Sequence, residues 1–216
     1  MKLSLDSPIV DKTNQIADII ILGFLWLLTS IPIITIGPAS IALYYAMVKS
    51  VRKKHDTAMN AFFYSFKQNF RQGIEATFLY LGYGGIIIYY ILLAKSHPVF
   101  RENPYMTIAM GIIITAPFIF TGLYIFPIIS RFENVLLKQI FYALHMSVGN
   151  IITTGLLCVM LALVGFLIYL YPFLLIVLPG FFVYVSSLFI EKIFRRYTKK
   201  IAKDDRRQEE LPWYLE

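Results

Sequence analysis

Hydrophobic residues in this chain fall into long, nearly uninterrupted runs. A helix rises about 1.5 Å per residue, so roughly 20 mostly apolar residues cross a hydrocarbon layer about 30 Å thick. Four runs reach or approach that length: 74–93, 105–128, 148–169 and 173–190, the last being the shortest. The first holds one charge, Glu75, at its start; the other three hold none. A fifth region, 16–51, is apolar but broken by proline. Pro32 disfavours helix at Ile31. Gly37-Pro38 is a turn signal, and Pro38 suits the first turn of a following helix. Region 16–51 is therefore either one crossing followed by a cytosolic helix or a hairpin that enters and returns. Its second limb, Ala39–Val51, is about 20 Å long at helical rise, and the pattern leans toward the hairpin. Asp6, Asp11 and Asp18 stand where a cleaved signal would carry positive charge, so no cleavage is expected.

Between the long runs the periodicity changes. Met59, Phe62, Phe63, Phe66, Phe70 and Ile74 recur at helical spacing and cover about a third of the helical circle. Residues 58–73 thus predict an amphipathic interfacial helix leading into a span. Its place is the inner leaflet, with Phe62, Phe63, Phe66 and Phe70 in the acyl boundary and Lys67 and Arg71 toward anionic headgroups. The same stripe would equally pack on the protein's own helices, and the two arrangements are compatible. Ile190, Ile193, Phe194, Tyr197 and Ile201 repeat the pattern beyond the last run.

Composition agrees. Of 216 residues, 58% are hydrophobic and 15% charged, with mean hydropathy +0.66; soluble domains run nearer half and a quarter. This excludes a disordered chain, a collagen-like chain and an ordinary water-soluble enzyme. The lone cysteine, Cys158, excludes a disulfide scaffold. The expected fold is all-α: a single integral membrane domain over 1–216, with five to six membrane-entering helices and amphipathic helices on the cytoplasmic side.

Charge sets the orientation. Segments 49–73, 128–147 and 191–216 together hold sixteen lysines and arginines, against two, Lys95 and Arg101, in the alternate loops. Basic residues collect on the cytoplasmic side, so the basic tail 191–216 is expected in the cytoplasm of a multi-pass cell-membrane protein. Tyr89, Tyr90, Tyr105, Tyr169 and Tyr171 sit where an outer aromatic belt would lie.

Catalytic chemistry is missing from the pattern. His55, His97 and His145 lie far apart, and there is no nucleophile elbow, P-loop or zincin motif. No cofactor, metal or nucleic-acid partner is implied; the partners expected are the bilayer and, through the cytoplasmic helices, another membrane protein. Arg71 and Glu75 suggest a local i,i+4 pair. Asn150, Thr153 and Thr154 form one polar cluster within the runs, and Ser186 and Ser187 another; interhelical hydrogen bonds or a hydrated path would each account for them. Gly82, Gly84 and Gly85 suggest close helix packing. Pro117, Pro127 and Pro179-Gly180 suggest kinks.

The proline-broken region carries a resemblance. Leu25-Trp26-Leu27-Leu28, then Ser30 through Ala39 (SIPIITIGPA), then Ala42-Leu43-Tyr44-Tyr45, resembles the opening of the YesL-like family of bacterial membrane proteins. Phe62-Phe63-Tyr64-Ser65-Phe66-Lys67-Gln68-Asn69-Phe70 is similar to that family's aromatic segment before a span. The resemblance implies an integral membrane protein of uncharacterised function, encoded near carbohydrate ABC-transporter components, with no catalytic or binding residues to carry over. Two functions are thus expected: a non-enzymatic accessory or scaffold protein linked to carbohydrate uptake, or a small transporter or channel subunit lined by the two polar clusters.

Overall fold

The computed structural model describes residues 8–53 and 56–204, and the side chains of 12–53 and 56–197. His55, the side chain of Ile201, much of the basic tail's charge and all of 205–216 lie outside the described residues. Every regular element among the described residues is helical. The α-helices are α1 (Pro8–Thr29), α2 (Ile36–Ala46), α3 (Ala58–Gln68), α4 (Phe70–Ser96), α5 (Pro98–Glu102), α6 (Pro104–Ile129), α7 (Leu136–Gly149), α8 (Ile151–Leu170) and α9 (Leu178–Asp204). Among the described residues, four stretches are long and apolar enough to cross a membrane: Ile33–Arg52, Phe70–Ser96, Pro104–Ile129 and Ile151–Leu170.

α2 is the centre of the molecule. Its sequence from Ile41 to Val48 is apolar on all sides apart from two tyrosine hydroxyls, and a helix of that kind must be surrounded. Ile41, Tyr44 and Val48 join one core with α4, α6, α7, α8 and α9. Ala42, Leu43, Ala46 and Met47 join a second with α1 and α3. The helix ends in a widened turn, Met47–Arg52, in which the Lys53 amide reaches the Val48 carbonyl five residues back.

α1 and α2 are the two limbs of a hairpin. At the tip the chain turns over Ser30–Pro32, and Thr35 donates its hydroxyl to the Thr29 carbonyl at 2.6 Å. Trp26 Nε1 crosses to Ser40 Oγ at 3.1 Å. At the base Gln15 Nε2 reaches the Val51 carbonyl at 3.1 Å. Pro32 marks the turn, whereas Gly37 and Pro38 lie in the first turn of α2, buried. Gly37 serves a close crossing there, because its amide donates to Thr77 Oγ1 on α4 at 2.9 Å.

The close approaches differ from those the glycine pattern suggests. A Cβ on Gly82, Gly84 or Gly85 would meet nothing within 4 Å. The tight pairs are instead Gly37 with Gly73 and Gly23 with Gly180, where a Cβ would lie 2.1–2.5 Å from backbone atoms of the element opposite, for Gly23 the Ile176 carbonyl just before α9. These pairs are far apart in sequence, so local spacing does not reveal them. The run 173–190 is also not one helix: Pro172–Ile176 is a 3-10 turn, and α9 starts at Leu178. Pro179 is thereby in a first turn, which suits proline, instead of forming a mid-span kink.

One order of elements occurs twice in the same direction. α2 leads to the amphipathic α3, then an asparagine, then the long α4; α6 leads to the amphipathic α7, then an asparagine, then the long α8. Leu43-Tyr44, Ser50 and Asn69 in the first copy answer Leu123-Tyr124, Ser130 and Asn150 in the second. Each asparagine leaves helical geometry, with φ/ψ of −100°/14° at Asn69 and −127°/50° at Asn150. Each donates its side-chain amide to the carbonyl four residues back, Ser65 at 3.1 Å and Met146 at 3.0 Å. At each bend the side chain thus adds a second donor to a carbonyl that the asparagine's own amide already bonds, and at the second bend Gly149 directly precedes the asparagine. This divides 58–73 at Asn69 and moves the start of the 148–169 span to Ile151.

Candidate functional site

Polar groups concentrate at the end of the bundle that carries α3 and α7. Arg131 follows α6 and Glu191 lies on the buried face of α9. Their side chains are 2% and 6% exposed, and Arg131 Nη2 lies 2.7 Å from Glu191 Oε1. Arg131 Nε donates to the same oxygen at 3.2 Å, and the Tyr44 hydroxyl of α2 donates to it at 3.0 Å. One carboxylate oxygen therefore ties together three helices that are distant in sequence. One turn earlier on α9, the Ser187 carbonyl accepts from Arg52 Nη1 at 2.9 Å. A buried charge is tolerated only when paired and hydrogen-bonded, and Glu191 Oε1 meets that condition with three donors.

Beside it lies a polar cavity of about 440 Å³ between α2, α3 and the α6–α7 loop, lined by Tyr45, Tyr64, Asn69, Ser130, Arg131 and Glu133 among others. Lys49 sits over the Tyr45 and Tyr64 rings, 5.4 and 5.5 Å from their centroids, and pairs with Asp56 at 3.5 Å. The loop wall is pinned. The fully buried Gln139 donates to the Phe132 carbonyl at 2.7 Å. Gln72 at the start of α4 donates to the Asn134 carbonyl at 2.6 Å and to Gln139 Oε1 at 3.1 Å. The arrangement is a rigid clamp beside a polar recess. Among the described residues no three histidine, cysteine, aspartate or glutamate side chains gather to hold a metal ion.

The residues expected at the membrane interface divide between two environments. Phe62 is fully buried and Phe66 packs against the same core, whereas Phe63 and Phe70 are exposed. Lys67 and Arg71 face outward, and Arg71 Nε lies 3.2 Å from Glu75 Oε1. α7 does likewise: Ala143 and Met146 are buried while Leu137, Phe141 and Val148 are exposed. Both amphipathic helices thus bury one face in the bundle and leave a second apolar face outward.

The polar residues of the two expected clusters bond within their own helix or to the neighbouring one. Thr154 donates to the Ser147 carbonyl at 2.8 Å and meets the Tyr124 hydroxyl at 3.0 Å. Asn150 serves the bend. Thr153 is half-buried one residue before the Thr154 cluster. Ser186 and Ser187 donate to the Val183 and Tyr184 carbonyls within α9, at 3.0 and 2.7 Å. Asn150 and Thr154 belong to the α6–α7–α8 junction, whereas Ser187 belongs to the Arg52 contact, so the two groups sit in separate hydrogen-bonded neighbourhoods.

Sequence reasoning counted Arg131 as a loop charge and did not single out Glu191. The signal was available. Ser187, Ile190, Glu191 and Phe194 fall at i, i+3, i+4 and i+7, which puts the carboxylate on the apolar stripe.

The central helix α2 lies within the part of the chain that is similar to known sequences. Residues 19–91 match DUF624, a family described as protein of unknown function. The DUF624 match spans the α1–α2 hairpin, α3 and most of α4, and so includes both segments that carry the resemblance noted from sequence. No curated protein and no solved structure matches the chain.

Proposed function

We propose that the protein is a non-enzymatic accessory subunit of the cell membrane that docks another membrane protein at its cytoplasmic face. The observation that carries this reading is the rigidly held outer face of α3 and α7. Met59, Phe63 and Phe70 on or next to α3, and Leu137, Phe141 and Val148 on α7, are exposed on helices fixed from beneath by buried residues. Lys67, Arg71, Lys138, Lys192, Arg195 and Arg196 are exposed at the same end. A fixed apolar surface with a basic rim favours a partner with an apolar ridge and acidic flanks. The basic end is the cytoplasmic one by the distribution of lysine and arginine. The exposed Tyr89, Tyr105 and Tyr169 near the opposite end agree with that orientation. The resemblance to the YesL-like family suggests a carbohydrate ABC transporter as the partner.

Photo-crosslinking residues placed at Phe63 and at Phe141 in native membranes should give protein adducts that include transporter subunits. The same residue at the buried Phe62 should give none. Adducts to lipid alone at both exposed positions would refute docking, as would identical yields at Phe62 and Phe63.

A further inference from the structure

A second cavity, of about 550 Å³, lies between the two copies of the repeated order and is completed by α1 and α9. Its walls include Trp26, Tyr80, Phe118, Leu123, Leu161 and Phe182, and no charged residue lines it. The polar atoms in its wall are already engaged. Trp26 Nε1 donates to Ser40 Oγ, and the Tyr80 hydroxyl donates to Thr121 Oγ1 at 2.7 Å. The Tyr44 hydroxyl donates to Glu191, and Ser186 Oγ to the Val183 carbonyl. A water molecule needs two to four polar partners to stay in such a space, and the wall has little to spare. An empty space of this size forfeits dispersion contacts all round its lining.

Its mouth is at span depth. The lining residues Ile119 on α6 and Leu161 on α8 are 37% and 41% exposed, each well inside a charge-free helix. Gly165 in the wall adds to the width of the space. Glycine in a membrane helix usually lets another helix approach, yet a Cβ on Gly165 would meet nothing within 4 Å although the residue lines the cavity. On Gly122, across the cavity, it would meet only the edge of Tyr80 at 3.5 Å and its hydroxyl at 4.0 Å. At Gly165 the missing side chain leaves width for something that is not protein.

We infer that this cavity is a binding site for one acyl chain of a bilayer lipid, entering between α6 and α8. The inference rests on the reading of α6 and α8 as membrane spans and is independent of any docking partner. A hydrocarbon chain matches the carbon lining and demands no polar partner. The volume is in the range of ordinary ligand sites.

Trp26 in the wall is a built-in reporter, and Trp213 is the only other tryptophan in the sequence. The full chain carrying Trp213→Phe should be reconstituted in phosphatidylcholine vesicles whose acyl chains are brominated at mid-depth. Bromine should quench Trp26. Gly165→Phe, which fills the cavity, should reduce that quenching by about half, because a packed space excludes a second occupant; Gly165→Leu should fall between. Gly85→Phe is the control, since Gly85 has open space around it but does not line the cavity; it should leave quenching unchanged. Equal quenching in the parent, Gly165→Leu and Gly165→Phe would overturn the inference. So would strong quenching of Trp26 by acrylamide from the aqueous phase, which would make the cavity a water-filled one.

Discussion

Glu191→Ala should destabilise the protein by about 3–5 kcal/mol, the range for breaking a buried ion pair by removing one member. The change leaves the Arg131 guanidinium at 2% exposure without its counter-charge and takes the acceptor from the Tyr44 hydroxyl. Three helices lose their common tie at once. The reciprocal change, Arg131→Ala, should cost a similar amount. The informative variant is the double replacement Arg131→Met with Glu191→Leu. It removes both desolvation costs and leaves two apolar side chains of comparable volume, so it should recover most of the loss or exceed the parent. Thermal unfolding in mild detergent, read by the temperature at which the monodisperse species disappears, measures all three. Were the double variant as unstable as either single one, the cluster would contribute something other than compensated charge. A near-parental Glu191→Ala would mean that water reaches the carboxylate.

Gly37→Ala comes next in size. A Cβ there would lie 2.1 Å from the Gly73 carbonyl oxygen and 2.4 Å from Thr77 Oγ1. The first neighbour is backbone and cannot rotate away. The second is held in place because Thr77 donates to that same carbonyl at 2.9 Å. α2 and α4 must separate, and with them the surroundings of the central helix. Overpacking costs typically about 1–3 kcal/mol, and a clash against backbone belongs at the upper end. Gly85→Ala is the matched control. It enters open space and should be neutral, or stabilise α4 by up to about 1 kcal/mol through helix propensity. If the two substitutions gave equal melting temperatures, the α2–α4 crossing would be looser than its hydrogen bonds imply.

The helices were legible because length and hydropathy are local properties. The runs that became α4, α6 and α8 can be read without any knowledge of their neighbours, and the stripe from Met59 to Phe70 marks α3 in the same way. The bends at Asn69 and Asn150 were not legible. Asparagine is only mildly unfavourable in a helix, and the bond each makes to the carbonyl four residues back is one that any helical asparagine could make. The glycine pairs escaped for another reason: Gly37 means a crossing only once Gly73 is known to lie opposite. Arg131 sits between Ser130 and Phe132-Glu133-Asn134, a stretch whose composition reads as a loop. Its burial depends on a carboxylate sixty residues later. Of the proposed interfacial face, the spacing located the helix but could not say that Phe62 would turn inward and Phe63 outward, because both lie within one wide apolar stripe.

That sixty-residue separation has a consequence for biosynthesis. Ribosomes add about 5–20 residues per second, so the guanidinium of Arg131 waits roughly 3–12 s before its carboxylate is even made. During that interval the nascent chain holds a cation that has no protein counter-ion from α9, and the slot that α9 will fill beside α2 stays open. Completion of α9 is therefore the event that locks the earlier helices. A ribosome stalled just short of Glu191 would leave an unsealed, protease-sensitive intermediate, whereas one stalled shortly after α9 has emerged would leave a closed bundle.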